Sequence, residues 1–148
     1  MNQPLIKNIM LSLRELRKET HTMLEEQSKK YQLSMTQIFV LDRIRKSPKI
    51  SLRELAKCVN LSPSTTSEVV EKMVQSELVI REQSDTNRRR IELSLTEKGL
   101  TTLKSTYADW IEDFAIFDEI GEEKLQIFYE TQQEMIELLK KRRVSNGE

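Results

Sequence analysis

Ser51-Leu-Arg-Glu-Leu-Ala-Lys-Cys-Val-Asn60, followed at once by Leu61-Ser-Pro-Ser-Thr-Thr-Ser-Glu-Val-Val70, is the stretch whose reading decides the fold. Ser51 and Glu54 have capping-box spacing, the serine oxygen serving an orphan N–H while the glutamate reaches back to the cap. A short helix therefore starts there, with Leu52, Leu55, Ala56 and Val59 on its buried side and Asn60 as a left-handed stop. Ser62-Pro63 is a second start signal: serine caps, and proline belongs at the first helical position, where no N–H is needed. Two helices joined by so short a turn, the second opening with small hydroxyl residues, have the layout of a helix-turn-helix.

Working outward, the period changes after this pair. Val79-Ile80-Arg81-Glu82 and Ile91-Glu92-Leu93-Ser94-Leu95 read as strands, and Ser84-Asp-Thr-Asn-Arg-Arg-Arg90 between them is polar, which predicts a hairpin with a basic tip, a wing. Upstream, Met35, Ile38, Phe39, Leu41 and Ile44 recur at helical spacing until Ser47-Pro48 stops the run. The segment before that carries Leu5, Ile6, Ile9, Met10, Leu13, Leu16, Met23 and Leu24 three or four apart, one long amphipathic helix. Downstream, Thr96-Glu97 caps a helix bearing Leu100, Leu103, Tyr107, Trp110, Ile111 and Phe114, with Asp109, Glu112 and Asp113 facing away. A break at Asp118–Gly121 precedes a last helix that ends in Lys140-Lys-Arg-Arg143, a basic end that suits the helix dipole.

Composition agrees with a helical chain. Three glycines and three prolines in 148 residues are too few for sandwiches or barrels, which need frequent turns. No apolar run approaches the roughly 20 residues of a membrane helix, and the N-terminus lacks the apolar core of a secretory signal. One cysteine, Cys58, forms no internal disulfide, so the expectation is a cytoplasmic protein without a membrane partner. The 24 basic and 24 acidic residues cancel in total but not locally: residues 1–33, 34–99 and 100–148 carry net charges of +2, +3 and −5. A basic middle suits a phosphate-facing centre with assembly regions around it.

A search for chemistry finds no glycine-rich phosphate loop, paired-histidine motif or Cys-x-x-Cys, because the chain has one histidine and one cysteine. With no nucleophile in an activating context, the reading is non-enzymatic, with no cofactor and no metal. His21 and Glu25 share a face, but two ligands fall short of a metal site. Lys57 beside Cys58 favours a reactive thiolate, whereas a position near a helix C-terminus lacks the dipole assistance found at N-termini; a redox role stands as an alternative.

On the helix after Ser62, turning Thr66, Val69, Val70 and Met73 to the core leaves Ser64, Glu68, Glu71 and Gln75 outward, flanked by Thr65, Ser67 and Lys72. Hydroxyls bond base edges or phosphates, and a glutamate accepts from cytosine N4, so this face is suited to reading the major groove. Its two carboxylates repel phosphates, so the attraction is assigned to Arg88, Arg89 and Arg90 of the wing, with Arg53, Lys57 and Lys72 as flanking clamps.

From Leu33 to Gly99 the chain resembles the MarR family of bacterial winged-helix regulators. The resemblance is carried, in order, by Leu33-Ser-Met-Thr-Gln-Ile-Phe-Val-Leu41, Ser51-Leu-Arg-Glu-Leu-Ala56, Leu61-Ser-Pro-Ser-Thr-Thr-Ser67, Leu78-Val-Ile-Arg81 and the arginine wing running into Leu95-Thr-Glu-Lys-Gly99. It implies a mainly α fold: a winged helix-turn-helix DNA-binding lobe over 34–99, and long terminal helices, 1–33 and 100–148, forming an intertwined dimerisation region. It further implies a homodimer on a palindromic operator in double-stranded DNA, acting as a repressor released by a small ligand or by oxidation. By position it assigns DNA contacts to Ser64, Thr65, Ser67, Glu68, Arg88 and Arg89. The family's wing has aspartate immediately before the arginine pair; Asn87 stands there here, with Asp85 two residues earlier, so either Arg88 is more loosely held or Asp85 substitutes through a reshaped turn. Family members often bind aromatic effectors between lobe and dimerisation helices. Tyr31, Phe39, Tyr107 and Trp110 are candidates for such a space, but at helical spacing they read first as core, and no ligand site is assigned. A rival reading is a winged-helix protein-interaction module that uses the acidic helix face and binds little DNA.

Overall fold

The computed structural model describes residues 1–147. Its elements follow as α1 (Gln3–Lys29), α2 (Met35–Lys46), β1 (Ile50–Ser51), α3 (Leu52–Val59), α4 (Pro63–Gln75), β2 (Val79–Gln83), β3 (Ile91–Leu95), α5 (Glu97–Asp113), a 3-10 segment (Phe114–Ile120) and α6 (Glu122–Ser145). The chain forms two compact units, residues 1–111 and the part beginning at Glu112.

Local chemistry sets most boundaries. The Ser51 hydroxyl accepts from the Glu54 N–H at 3.1 Å and the Glu54 carboxylate accepts from the Ser51 N–H at 3.3 Å, closing the expected capping box. A second box, not anticipated from the sequence, opens α2, where Ser34 and Gln37 exchange bonds at 3.2 and 2.9 Å. Asn60 ends α3 at φ 55° and ψ 45°, the left-handed stop its amide side chain tolerates. Thr96 opens α5: its hydroxyl accepts from the Gly99 N–H at 2.9 Å and donates to the Glu77 carbonyl at 2.6 Å.

The first unit's core gathers Ile38, Val40, Leu41 and Ile44 of α2, Leu55 of α3, Val70 and Met73 of α4, Leu93 of β3 and Leu103 of α5, all essentially solvent-free. Each such side chain contributes roughly 1.5–3 kcal/mol on full burial. Phe39 departs from the expected stripe: it is 52% exposed while Val40 is buried. Val40 lies one turn before Ile44 on the same face, whereas Phe39 is rotated off it.

The sheet has a strand the sequence did not reveal. Its order is β1-β3-β2, antiparallel throughout, with Ile50 opposite Leu93 and, in the hairpin, Val79 opposite Leu95 and Gln83 opposite Ile91. β1 is two residues long, too short to show alternation. Lys49 at φ 64° turns the chain into it, and the Lys49 N–H donates to the Leu93 carbonyl at 3.0 Å. Asp109 also differs from expectation: it does not face away but accepts the Tyr31 hydroxyl at 2.7 Å, tying α5 to the end of α1.

Large apolar side chains remain uncovered in both units. On α1 they include Leu5, Ile6, Met10 and Leu11. In the second unit Ile116, Phe117 and Ile120 of the 3-10 segment and Ile127, Phe128, Leu138 and Leu139 of α6 are exposed. Phe114 begins the 3-10 segment rather than extending α5, and stacks on Phe117 with ring centroids 5.5 Å apart. Among the described residues no helix is long and apolar enough to cross a membrane.

Candidate nucleic-acid interface

The α4 face is arranged by its cap. The Ser62 hydroxyl accepts from the Thr65 N–H at 3.2 Å, donates to the Thr65 hydroxyl at 2.8 Å and lies 3.3 Å from that of Ser64. Capping thus places a cluster of hydroxyls at the exposed start of the helix. Thr66, Val70 and Met73 are buried beneath, with the Thr66 hydroxyl returned to the Ser62 carbonyl at 2.9 Å. Ser64, Thr65, Glu68, Glu71, Lys72 and Gln75 are exposed and Ser67 is half-buried. Ser64, Ser67, Glu68, Glu71, Lys72 and Gln75 line one shallow groove along this face.

The two carboxylates of the face have different surroundings. Glu71 lies 3.4 Å from the Arg81 guanidinium of β2, which offsets its charge locally. Glu68 has no ion pair among the described residues. Of the two carboxylates on this face, Glu68 is thus the one without a cationic partner.

The wing turn is closed by Asn87. Its side-chain oxygen accepts from the Arg89 N–H at 3.0 Å and its carbonyl from the Arg90 N–H at 3.0 Å. The Gln83 amide holds the Arg88 carbonyl at 2.5 Å, and Ser84 N–H bonds the Arg90 carbonyl at 2.9 Å. An Asx-type bond of this kind needs only an oxygen acceptor, which asparagine shares with aspartate. Asn87, not Asp85, does the closing. Arg88 and Arg89 project with exposed side chains, whereas Arg90 is half-buried and engaged by Glu54 at 2.8 Å. The hydrogen bond from Arg90, assisted by that from the Ser51 N–H, holds the Glu54 carboxyl below the usual glutamate range.

A cleft runs between the wing and the starts of α3 and α4, lined by Ser51, Leu52, Arg53, Glu54, Lys57, Pro63, Asn87, Arg89, Arg90 and Ile91. It brings Arg53 and Arg89, far apart in sequence, to one opening. Lys57 joins them because it lies one helical turn beyond Arg53 on α3, a spacing that marked the pair as neighbours. Lys72 lies on the α4 groove instead. Guanidinium forks and an ammonium around one opening form a site suited to phosphate oxygens.

The other candidates lie elsewhere. His21 and Glu25 stand 4.0 Å apart, both exposed, and among the described residues no group of three or more His, Cys, Asp or Glu is placed to hold a metal. Cys58 is an exposed thiol in a hollow with Phe39, Arg43, Val59 and Leu61. Tyr31, Tyr107 and Trp110 pack against the core, with Tyr107 and Trp110 rings 5.3 Å apart; Phe39 is not among them. Burial, reinforced by the hydrogen bond to Asp42, pushes the Tyr107 phenol far up, and the bond to Asp109 raises that of Tyr31. Burial alone raises Asp42, but hydrogen bonds from Tyr107, Lys46 and Arg45 together outweigh it and leave its carboxyl low.

Residues 33–91 match the MarR family. The chain is 30% identical over 95 residues to the HTH-type transcriptional repressor MdtR of Bacillus subtilis (strain 168), covering 64% of this chain and 61% of the relative. It is 30% identical over 81 residues to the HTH-type transcriptional regulator SarZ of Staphylococcus aureus (strain USA300), covering 55% and 54%. The chain thus aligns with between half and two thirds of the length of these curated relatives. Among solved structures, a MarR family protein from Bacillus stearothermophilus superposes with a TM-score of 0.85 at 19% identity, covering 95% of this chain and 99% of that one, a likeness of fold. The YusO protein from Bacillus subtilis superposes with a TM-score of 0.68 at 26% identity, covering 90% and 96%. The helix-turn-helix, the three-stranded winged sheet and the flanking helices follow one another in the same order as in these MarR family structures, and the match to the family itself lies over residues 33–91.

Proposed function

We propose that this chain is a non-enzymatic, sequence-specific DNA-binding transcriptional regulator, acting as a repressor. The observation that carries the reading is the exposed polar face of α4 beside a cleft that gathers Arg53, Lys57 and Arg89. Ser64, Thr65, Ser67 and Glu68 read base edges in the major groove, and Arg53, Lys57, Lys72, Arg88 and Arg89 hold phosphates. Two copies join through the terminal regions 1–33 and 100–148, whose uncovered apolar side chains on α1 and α6 are supplied with partners in a symmetric dimer. The two α4 helices then meet successive major grooves of a palindromic operator. A small aromatic ligand or oxidation releases the complex.

Selection of bound fragments from genomic DNA at moderate salt tests this, followed by salt titration on the recovered duplex. Affinity is expected to fall steeply with salt. Arg88→Ala and Arg89→Ala are each expected to lower the slope by about 0.9, the amount one neutralised phosphate supplies. The unpaired carboxylate of Glu68 is what favours the rival, a protein-interaction module. A flat salt response with no fragment preference decides for that rival. Peroxide added to the DNA complexes of the original and Cys58→Ser proteins tests oxidation through this thiol: equal release from both excludes it.

A further inference from the structure

Three arginines follow one another in the wing, and the third is held differently from the other two. Arg90 Nη1 donates to Glu54 Oε1 at 2.8 Å, and Nη2 donates to Glu54 Oε2 at 3.5 Å and to the Lys49 carbonyl at 3.2 Å. Its Nε lies 3.6 Å from Glu92 Oε1. The backbone of the same residue closes the turn, its N–H on the Asn87 carbonyl and its carbonyl on the Ser84 N–H. Glu54 sits in the first turn of α3, where it also receives the Ser51 N–H. One side-chain pair therefore joins the wing root, the entry to β1 and the start of α3.

The wing needs such a tie. β1 pairs only with Leu93 and Glu92, so the ribbon beyond them is two-stranded, and an isolated hairpin is marginal in water. Glu82 stands directly opposite Glu92 in the hairpin, a like-charge pair that weakens it further and that Arg90 offsets. Among the described residues, the hydrogen bonds that leave residues 83–90 for another element are those of the Arg90 side chain. Arg88 and Arg89 are carried on whatever this tie holds still.

We propose that Arg90 and Glu54 are positioning residues forming a strut that sets the span between Arg89 on the wing and Arg53 and Lys57 on α3, and that Arg90 does not itself contact phosphate. The proposal rests on the DNA-binding reading above. It assigns Arg90 a role distinct from its neighbours in the run, and it gives an acidic residue at a phosphate-facing cleft a favourable part in binding.

The sign of one substitution separates strut from phosphate contact. Glu54→Gln keeps the capping box, because glutamine closes it as glutamate does, and removes a negative charge beside the duplex. Coulomb repulsion alone predicts tighter binding. The strut predicts binding weaker by about threefold, in keeping with removal of an exposed ion pair, with the salt slope unchanged. Arg90→Lys, which keeps the charge but not the fork, is expected to weaken binding likewise, and Arg90→Ala is expected to weaken binding without the drop in slope that Arg88→Ala produces. Backbone amide relaxation of the DNA-free, full-length protein is expected to show Arg88 and Arg89 more mobile in Glu54→Gln. Equal or tighter binding by Glu54→Gln, or a slope in Arg90→Ala as low as that of Arg88→Ala, overturns the proposal. If the unsubstituted protein ignores DNA, the functional reading fails instead, and unchanged wing mobility in Glu54→Gln then still overturns the strut.

Discussion

Replacing Gly99 by alanine tests how closely α5 is set against the link between α4 and β2. A Cβ built at Gly99 falls 2.1 Å from the Leu78 carbonyl oxygen and 3.0 Å from its carbon, and ordinary contact begins near 3.4 Å. The backbones must therefore separate by about 1.3 Å. Leu78 has little freedom to yield: it is 4% exposed, its N–H bonds the Met73 carbonyl at 2.9 Å, and its carbonyl accepts the Thr96 N–H at 3.1 Å. Alanine gains up to about 1 kcal/mol of helix propensity over glycine. Against this stand overpacking, about 1–3 kcal/mol, and the strained Leu78–Thr96 bond, about 1 kcal/mol. The clash wins, with a net loss of about 2 kcal/mol, or roughly 4–8 °C in Tm for a chain of this size. Urea and thermal unfolding followed by circular dichroism measure it, at one protein concentration because assembly shifts apparent stability. A Gly99→Ala protein as stable as the original would refute the reasoning.

Three further outcomes are expected. Ser62→Ala removes the α4 cap and is expected to cost about 1 kcal/mol, read by urea unfolding; an unchanged midpoint would show that the cap is redundant. Because Tyr31 and Tyr107 hold their protons more firmly in the fold, their contribution to stability is complete below the ordinary tyrosine value of 10.0 and is lost as pH rises through their raised folded values. Tyrosinate absorbance should accordingly lag that of the urea-unfolded chain above pH 10, and coincident titrations would contradict the two carboxylate contacts. On the DNA-binding reading, Glu68→Gln should lose about 1–3 kcal/mol of discrimination at one operator position, visible as relaxed sequence preference in fragment selection; an unchanged preference removes Glu68 from base readout.

Some residues of the interface are legible in the chain and others are not. Ser51, Asn60, Ser62 and Pro63 announce where α3 begins and ends and where α4 begins, because caps act within three or four residues of themselves. The division of α4 into a buried Thr66, Val70 and Met73 side and an exposed Ser64, Thr65 and Glu68 side follows from the helical period alone. Arg88, Arg89 and Arg90, by contrast, are equivalent letters in the chain. What separates them is a partner 36 residues away, Glu54, and a carbonyl 41 residues away, Lys49.

The same distinction holds across the protein. The amino-acid sequence by itself determined the order and limits of most helices, the two strands of the wing and the outward face of α4, since each depends on short-range sterics, capping and periodicity. Only the tertiary structure decided that Ile50–Ser51 becomes a third strand, that Asp109 turns to Tyr31 across 78 residues, that Lys57 shares a cleft with Arg89, and that Gly99 has no room for a methyl group. Those outcomes depend on which distant surfaces packing brings within bonding distance, and no spacing along the chain encodes them directly.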